Sequence, residues 1–346
     1  MHIYNNDFLK TQISSNVAGL SNIVYDLNAR TDLRKNENPK IFEALRSAAI
    51  IDSISGSNAI EGIVTTKKRM ADITSEDFVP ATRSETELLG YRNALSEIYN
   101  KDIEGAVSAD LVKHLHKTML LQVTPDAGQF KTENNWIQER DEEDRIFIRF
   151  IPVNYKDTPD AIKQWALAYE GARHDYSISK LYLICCMIVD FLCIHPFIDG
   201  NGRVSRLLTS YLLEREGFEI GRFVSIDKKI NEFKYNYYDA LKKASEGWHE
   251  NKQDYTPFLI FMMQILYSCY KELDKHFYEA SSKGVPKGKL VESILLNTVV
   301  PISKAEILSR VPEVSVSTVE KVINKLMREG RICKIGTYKN ARYKKV

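Results

Sequence analysis

The sequence predicts a mainly α-helical protein with one small β-hairpin and a separate basic module at its C-terminus. Three observations carry this. Leu181 to Ile194 is apolar on every side except at Asp190, the pattern of a helix buried in a core rather than lying on a surface. Arg145-Ile146-Phe147-Ile148-Arg149-Phe150 alternates with the period of a strand. Ser281-Ser282-Lys283-Gly284-Val285-Pro286-Lys287-Gly288 is a linker by composition. Beyond it, residues 286–346 hold thirteen Lys/Arg against five Asp/Glu.

The whole-chain balance hides that asymmetry. The net charge is +2, but residues 286–346 carry +8 and residues 1–285 therefore −6. At 346 residues the chain exceeds a comfortable single core and implies two or three domains. The stretch Met1-His2-Ile3-Tyr4-Asn5-Asn6-Asp7 is too polar for a secretory leader. Leu181–Ile194 is shorter than the ~18 residues a membrane span needs and carries a charge, so no membrane partner is expected. Five cysteines (185, 186, 193, 269 and 333) are an odd number, three of them in one apolar helix. They read as reduced core residues, which points to a cytoplasmic protein. Their spacing with histidine suggests no zinc site.

In chain order, residues 1–100 read as an N-terminal helical region. Within it Ser57-Asn58-Ala59-Ile60-Glu61-Gly62 looks like a helix closing at an ordinary C-terminal glycine. Leu111–Leu120 is helical, with His114 and His116 expected as packing or surface residues. Gly128-Gln129-Phe130-Lys131 and Asn134-Asn135-Trp136-Ile137 lead into a hairpin that turns at Glu139–Asp144 and returns through Arg145–Phe150. The buried helix Leu181–Ile194 should stop at His195, because Pro196 disfavours helical geometry in the residue before it. Arg203–Glu216 is the next helix, with leucines at 207, 208, 212 and 213 and a stop at Gly217.

Between those two helices lies the segment that carries chemistry, His195-Pro196-Phe197-Ile198-Asp199-Gly200-Asn201-Gly202-Arg203-Val204-Ser205-Arg206. It places a titratable base, a carboxylate, two glycines and two cations in twelve residues, where one helix ends and another begins. Gly200, Asn201 and Gly202 sit at a helix N-terminus, where free N–H groups and the helix dipole attract phosphate. Arg203 and Arg206, three apart, share a helix face and can fork onto phosphate oxygens. Asp199 is a hard oxygen ligand suited to magnesium held jointly with substrate phosphates.

This segment resembles the Fic-domain signature His-Pro-Phe-x-Asp/Glu-Gly-Asn-Gly-Arg-x-x-Arg at every position. The resemblance implies a helical Fic-type core over about residues 101–275 and transfer of AMP from ATP to a Tyr, Ser or Thr hydroxyl of a target protein. It makes His195 the general base, Asp199 the Mg2+ ligand, and Gly200, Asn201 and Gly202 the cradle for the α- and β-phosphates. Arg203 would contact the β-phosphate and Arg206 the γ-phosphate. Ser57, Glu61 and Gly62 resemble the inhibitory-helix pattern Ser/Thr-x-x-x-Glu-Gly/Asn of the class that carries this helix N-terminal to the core, here at about 50–62. Glu61 would then occupy Arg206 and misplace the γ-phosphate. The hairpin resembles the flap that docks the target main chain by strand addition. Tyr237-Tyr238-Asp239-Ala240-Leu241 resembles a Tyr-Tyr-x-Ala-Leu segment near the adenine pocket, with Tyr238 as the adenine contact. Family habit implies a homodimer.

After the linker at 276–288, residues 289–346 show helical patterns at Leu290–Asn297, Lys304–Arg310 (capped by Ser303) and Ser317–Arg328, then short strands at Arg331–Ile335 and Ala341–Lys345. Helix, helix, helix, hairpin resembles a winged helix-turn-helix domain, with Val316–Arg328 in the recognition position. Such a module docks DNA in the major groove or docks proteins; Glu320, Lys321, Asn324, Lys325 and Arg328 make a mixed face that leaves both open. The leading functional expectation is a self-inhibited, Mg-dependent protein adenylyltransferase. The alternatives are a nucleotide-sensing DNA-binding regulator, and a Fic enzyme that transfers another nucleotide or also removes AMP with Glu61 positioning a water.

Overall fold

The computed structural model describes residues 14–75, 77–103, 105–140, 143–281, 287–298, 300–312, 314–337 and 341–346. The first two helices are α1 (Ser15–Glu37) and α2 (Pro39–Ile60). α1 turns Val17, Val24 and Leu27 inward, and at its end Arg34 forms a buried ion pair with Asp274 at 2.6 Å. α2 starts with Pro39, whose missing N–H costs nothing in a first turn. It closes as Gly62 takes φ +77°, a conformation glycine adopts without strain. α3 (Lys67–Asp72) is short; α4 (Arg83–Asn100) is capped by Thr82, whose hydroxyl accepts from Glu85 N–H at 3.2 Å. α5 (Ala109–Leu120) packs on α4 so closely that a Cβ at Gly90 would lie 1.9 Å from the Met119 carbonyl oxygen.

β1 (Ile137–Arg140) and β2 (Ile146–Phe150) pair antiparallel, Gln138 opposite Ile148 and Glu139 opposite Phe147, with an irregularity between Ile137 and Gln138. The expected hairpin is therefore present. α6 (Thr158–Ala172) packs on α7 (Lys180–Ile194), and Trp165 Nε1 donates to the Met187 carbonyl at 2.8 Å. Every residue of α7 from Leu181 to Ile194 except Leu192 is buried. The one charge in that buried stretch from Leu181 to Ile194, Asp190, accepts hydrogen bonds from Trp248 Nε1 at 2.7 Å and from Tyr255 hydroxyl at 2.5 Å. α8 (Asn201–Arg215) follows directly, two residues earlier than the leucine pattern predicts, because Gly200 at φ +81° lets the helix start inside the loop.

α9 (Ile226–Glu232) lies against α2 at Gly56, where a Cβ would meet Lys228 N at 2.5 Å. α10 (Lys234–Ser245) and the long α11 (Thr256–Ser281) complete the helical core around α7 and α8. α11 runs through residues 276–281, expected as part of the linker, since Phe277 still packs under Phe42 and Arg34. The remaining linker residues, 282–286, lie outside the described residues.

The C-terminal module comprises α12 (Lys287–Asn297), β3 (Ile302–Ser303), α13 (Lys304–Arg310), α14 (Val316–Arg328), β4 (Ile332–Ile335) and β5 (Arg342–Lys345). Ser303 caps α13 in a reciprocal capping box with Glu306. Three helices and a terminal strand pair appear in the expected order, and β3 adds a third strand, giving the sheet order β3-β5-β4. Glu306 ties the module to α11 through Lys271 at 2.6 Å. Among the described residues no helix is long and apolar enough to cross a membrane.

Candidate active site

α7 ends where the sequence requires, but not with the extended geometry Pro196 would favour. His195 takes a left-handed conformation, φ 52° and ψ 62°, while its N–H still donates to the Phe191 carbonyl at 2.9 Å. Such a conformation in a non-glycine residue costs free energy and must be held by its surroundings. Lys131 and Asn135 hold it. Lys131 N–H donates to the Pro196 carbonyl at 2.9 Å, and its ammonium donates to the Ile194 carbonyl at 3.2 Å and to Asn135 Oδ1 at 2.9 Å. Asn135 Nδ2 donates to the carbonyls of Phe197 at 2.8 Å and His195 at 3.4 Å.

His195 Nδ1 donates to the Leu192 carbonyl at 3.1 Å, so Nε2 carries the lone pair. Burial pushes the ring's pKa down to about 4, and the charges on Lys131 and Arg149 push the same way against the Leu192 bond. At neutral pH His195 is an uncharged imidazole able to take a proton.

Asn201 closes the loop behind it. Its side chain accepts from Phe197 N–H at 2.9 Å and donates to the Phe197 carbonyl at 2.7 Å. The buried Asn201 side chain is thus structural, and its backbone N–H is what remains for a ligand. The helical ladder of α8 begins with Val204 N–H on the Gly200 carbonyl at 2.9 Å, leaving the N–H groups of Asn201, Gly202 and Arg203 outside it. The sequence placed the cradle at Gly200, Asn201 and Gly202; the Gly200 N–H instead donates to Asp199 Oδ1 at 2.6 Å, so the groups left open for an anion are those of residues 201–203.

Both cradle arginines are buried and both meet carboxylates. Arg206 Nε donates to Ser57 Oγ at 2.7 Å, and Nη2 donates to the Ser57 carbonyl at 2.9 Å and to Glu61 Oε1 at 2.8 Å. Burial works against the Arg206 charge, but Glu61, with Tyr237, Tyr91 and Asp227, outweighs it and raises the pKa. Ser57, Glu61 and Arg206 therefore meet as the resemblance implies, although 149 residues separate Ser57 from Arg206. Gly62 closes the helix, its N–H donating to the Ala59 carbonyl at 3.1 Å. Arg203 turns the other way: Nη1 donates to Glu87 Oε2 at 2.6 Å, Nη2 lies 3.8 Å from Asp199 Oδ2, and Nε has no partner among the described residues.

These groups line one cavity of about 840 Å³, together with His195, Asp199 to Gly202 and the hairpin residues Ile137 to Glu139. The hairpin is tied to α10 by Lys242 to Glu139 at 2.9 Å and Arg149 to Ser245 at 3.2 Å. Tyr238, 44% exposed, lines the same cavity. The Asp199 side chain is 74% exposed, and the described residues contain no cluster of three or more metal-ligating groups. One open carboxylate beside a phosphate cradle fits Mg2+, which keeps waters and shares its coordination with substrate phosphates.

Glu87, Arg83, Arg149 and Lys242 line the cavity without having been expected there. Each lies in an ordinary helix or strand pattern far from the loop in sequence, and no local signal marks it. His116, expected as a packing or surface residue, packs against Phe197 with ring centroids 3.8 Å apart. It is buried, 3% exposed, and both of its ring nitrogens are hydrogen-bonded, one of them to the Asp199 carbonyl at 3.1 Å. Burial holds its pKa down at about 4. His114, by contrast, is on the surface beside Glu97 at 2.7 Å.

Comparison with known proteins gives a consistent result. Residues 106–213 match the model of the Fic/DOC family. A protein adenylyltransferase Fic from Drosophila persimilis is 46% identical over 251 residues, 71% of this chain and 44% of that protein. One from Nematostella vectensis is 25% identical over 222 residues, 62% and 46% of the two. The chain thus spans less than half the length of either relative. Among solved structures, a Fic family protein from Desulfovibrio desulfuricans G20 superposes with a TM-score of 0.64 at 18% identity, covering 97% of both chains. Fic-1 from C. elegans superposes with 0.53 at 21% identity, covering 73% of this chain and 71% of the other.

Proposed function

We infer that this chain, a Fic/DOC-domain protein related to the Fic protein adenylyltransferases, is itself a Mg-dependent protein adenylyltransferase held in check by Glu61. The observation that carries the reading is the 2.8 Å pair of Glu61 with Arg206 inside the cavity that also holds His195 and the open N–H groups of 201–203. A base, an anion cradle and an arginine already occupied by an acid are the parts that regulated nucleotidyl transfer needs.

In the proposed reaction the hydroxyl oxygen of a target Tyr, Ser or Thr attacks the α-phosphorus of ATP. The new O–P bond forms as the bond from the α-phosphorus to the bridging oxygen breaks, and pyrophosphate leaves. The hydroxyl proton passes to His195 Nε2, whose tautomer is set by the Leu192 carbonyl. The N–H groups of Asn201 and Gly202 receive charge on the α- and β-phosphates. Arg203 Nη2 and Nε reach the β-phosphate while Nη1 stays on Glu87. Arg206 takes the γ-phosphate once Glu61 yields. Asp199 would hold Mg2+, which supplies charge neutralisation to the phosphates. The adenine ring lies toward Tyr238, and the edge of the β1–β2 hairpin offers its main chain to an extended target segment.

The test is intact-mass analysis of protein acceptors in a cell lysate after incubation with ATP and Mg2+. Acceptors gaining the mass of AMP with Glu61→Gly, and none with Glu61→Gly/His195→Ala, would support the reading. A folded Glu61→Gly protein that modifies nothing would refute it.

A second reading concerns the C-terminal module. Its charge of +8 and the exposed Ser317, Lys321, Asn324 and Arg328 of α14 favour DNA as its partner. Binding to duplex DNA that weakens steeply with salt supports this; none at low salt refutes it.

A further inference from the structure

The proposed reaction makes no use of His116, yet the ring is built into the loop on every side. Gly128 N–H donates to Nδ1 at 2.8 Å. A backbone N–H can only donate, so Nδ1 carries the lone pair and Nε2 the proton. That proton is donated to the Asp199 carbonyl at 3.1 Å. The ring stacks on Phe197 with centroids 3.8 Å apart and planes 5° from parallel. Its Cδ2 lies only 3.5 Å from where a Cβ on Gly200 would be. The imidazole therefore has one position, one tautomer and one acceptor.

What that acceptor belongs to matters. The Asp199 carbonyl and the Gly200 N–H are the two ends of one rigid peptide plane. The Gly200 N–H donates to Asp199 Oδ1 at 2.6 Å. Fixing the carbonyl fixes the N–H, and the N–H fixes the carboxylate. Oδ2 is then left facing Arg203, with Nη2 at 3.8 Å, on the wall of the cavity.

We propose that His116 is a positioning residue that sets the plane of the Asp199–Gly200 peptide, and so aims Asp199 Oδ2 and the start of the phosphate cradle at the magnesium–nucleotide substrate. The inference rests on the reading of residues 199–203 as a phosphate and metal site. A residue serving only as packing could be replaced by any ring or chain of similar size. His116 requires an acceptor at Nδ1 and a donor at Nε2, two needs that different substitutions separate. In His116→Asn the amide oxygen can take the place of Nδ1 and nothing reaches Asp199. In His116→Gln the longer amide can place its NH2 where Nε2 was.

The experiment uses the full chain in the Glu61→Gly background, with ATP binding measured calorimetrically with Mg2+ and with EDTA. His116→Asn and His116→Phe should weaken Mg·ATP binding roughly three- to tenfold, the worth of one hydrogen bond, and weaken metal-free ATP binding less. His116→Gln should restore most of the affinity at a melting temperature no higher than that of the Asn variant. Equal affinities in the Gln and Asn proteins, or losses that follow melting temperature alone, would overturn the proposal. Nitrogen NMR of the unliganded protein reports the tautomer independently. An Nδ1-protonated ring, or a Gly200 amide signal that is unmoved in His116→Asn, would overturn it too. Should the Glu61→Gly parent bind no nucleotide, the phosphate reading fails, and the NMR result still decides what His116 does to the peptide.

Discussion

Replacing Glu61 by Gly should tighten ATP binding by an amount the geometry bounds. At 2.8 Å, with an effective dielectric of about 20, the attraction between Glu61 and Arg206 is about 6 kcal/mol. Much of that is cancelled by the desolvation both groups suffer on pairing, and the Glu61 side chain remains 33% exposed. The net worth of a charge-assisted hydrogen bond, about 1.5–3 kcal/mol, is the better measure. A γ-phosphate that needs Arg206 must first displace Glu61 and forfeit this. Removing Glu61 should therefore lower the Kd for Mg·ATP by about 10- to 100-fold. Arg206 keeps its bonds to Ser57 Oγ and the Ser57 carbonyl, so the variant should stay folded. The isosteric Glu61→Gln, which retains a hydrogen bond but no charge, should fall between the two. Calorimetric titration of the three proteins measures the series, with ADP as the control that lacks a γ-phosphate. A folded Glu61→Gly protein whose ATP affinity is unchanged, or whose ADP affinity rises as much, would refute the competition argument.

Three further predictions follow from single contacts. A Cβ at Gly202 would lie 2.5 Å from Glu61 Oε1 but 3.4 Å from the nearest Arg206 nitrogen, so Gly202→Ala should cost about 1–3 kcal/mol in the wild type and less beside Glu61→Gly. Additive denaturation energies in that double-mutant cycle would contradict it. With the His195 pKa lowered to about 4, the base stays unprotonated at higher pH, so kcat/KM should be level between pH 6 and 8 and fall only as pH drops toward 4; an inflection near 6.5, the ordinary histidine value, would show that the ring is not so desolvated. Burial lifts the Asp190 pKa from 3.8 to about 7, a raised acid pKa whose stabilising contribution is full below pH 3.8 and is lost as pH rises to 7. Asp190→Asn should therefore gain on the wild type in melting temperature across that window, and parallel curves would refute the assignment.

The contrast between what could and could not be read from the sequence has a physical cause. His195, Asp199, the glycines and both arginines lie within twelve consecutive residues spanning one loop and the start of α8, so their order in the chain is already close to their order in space. The Arg206–Glu61 contact was legible because the same short pattern that ends a helix at Gly62 had a known receiver. Glu87 was not, since a carboxylate in the first half of an amphipathic helix looks solvated until the fold brings Arg203 to it at 2.6 Å. His116 looked like packing for the same reason: its two partners, Gly128 and Asp199, lie 12 and 83 residues away. Helix boundaries were least legible where glycine intervened. α8 starts at Asn201 rather than Arg203 because φ at Gly200 is +81°, a choice the leucine periodicity does not register. α11 outran its expected end because Phe277 found buried partners on α2 and α1.

In the proposed reaction the site moves the α-phosphoryl group with its nucleoside, under restraint by Glu61 and with His195 as base. Parallel incubation of Glu61→Gly protein and lysate with ATP labelled at either the α- or the γ-phosphate tests this. Label should pass to protein from the α-labelled nucleotide only, exceed the wild-type level, and vanish when His195→Ala is added. Label arriving from the γ-position, or none from α-labelled ATP, CTP, GTP or UTP on a folded Glu61→Gly protein, would contradict the account.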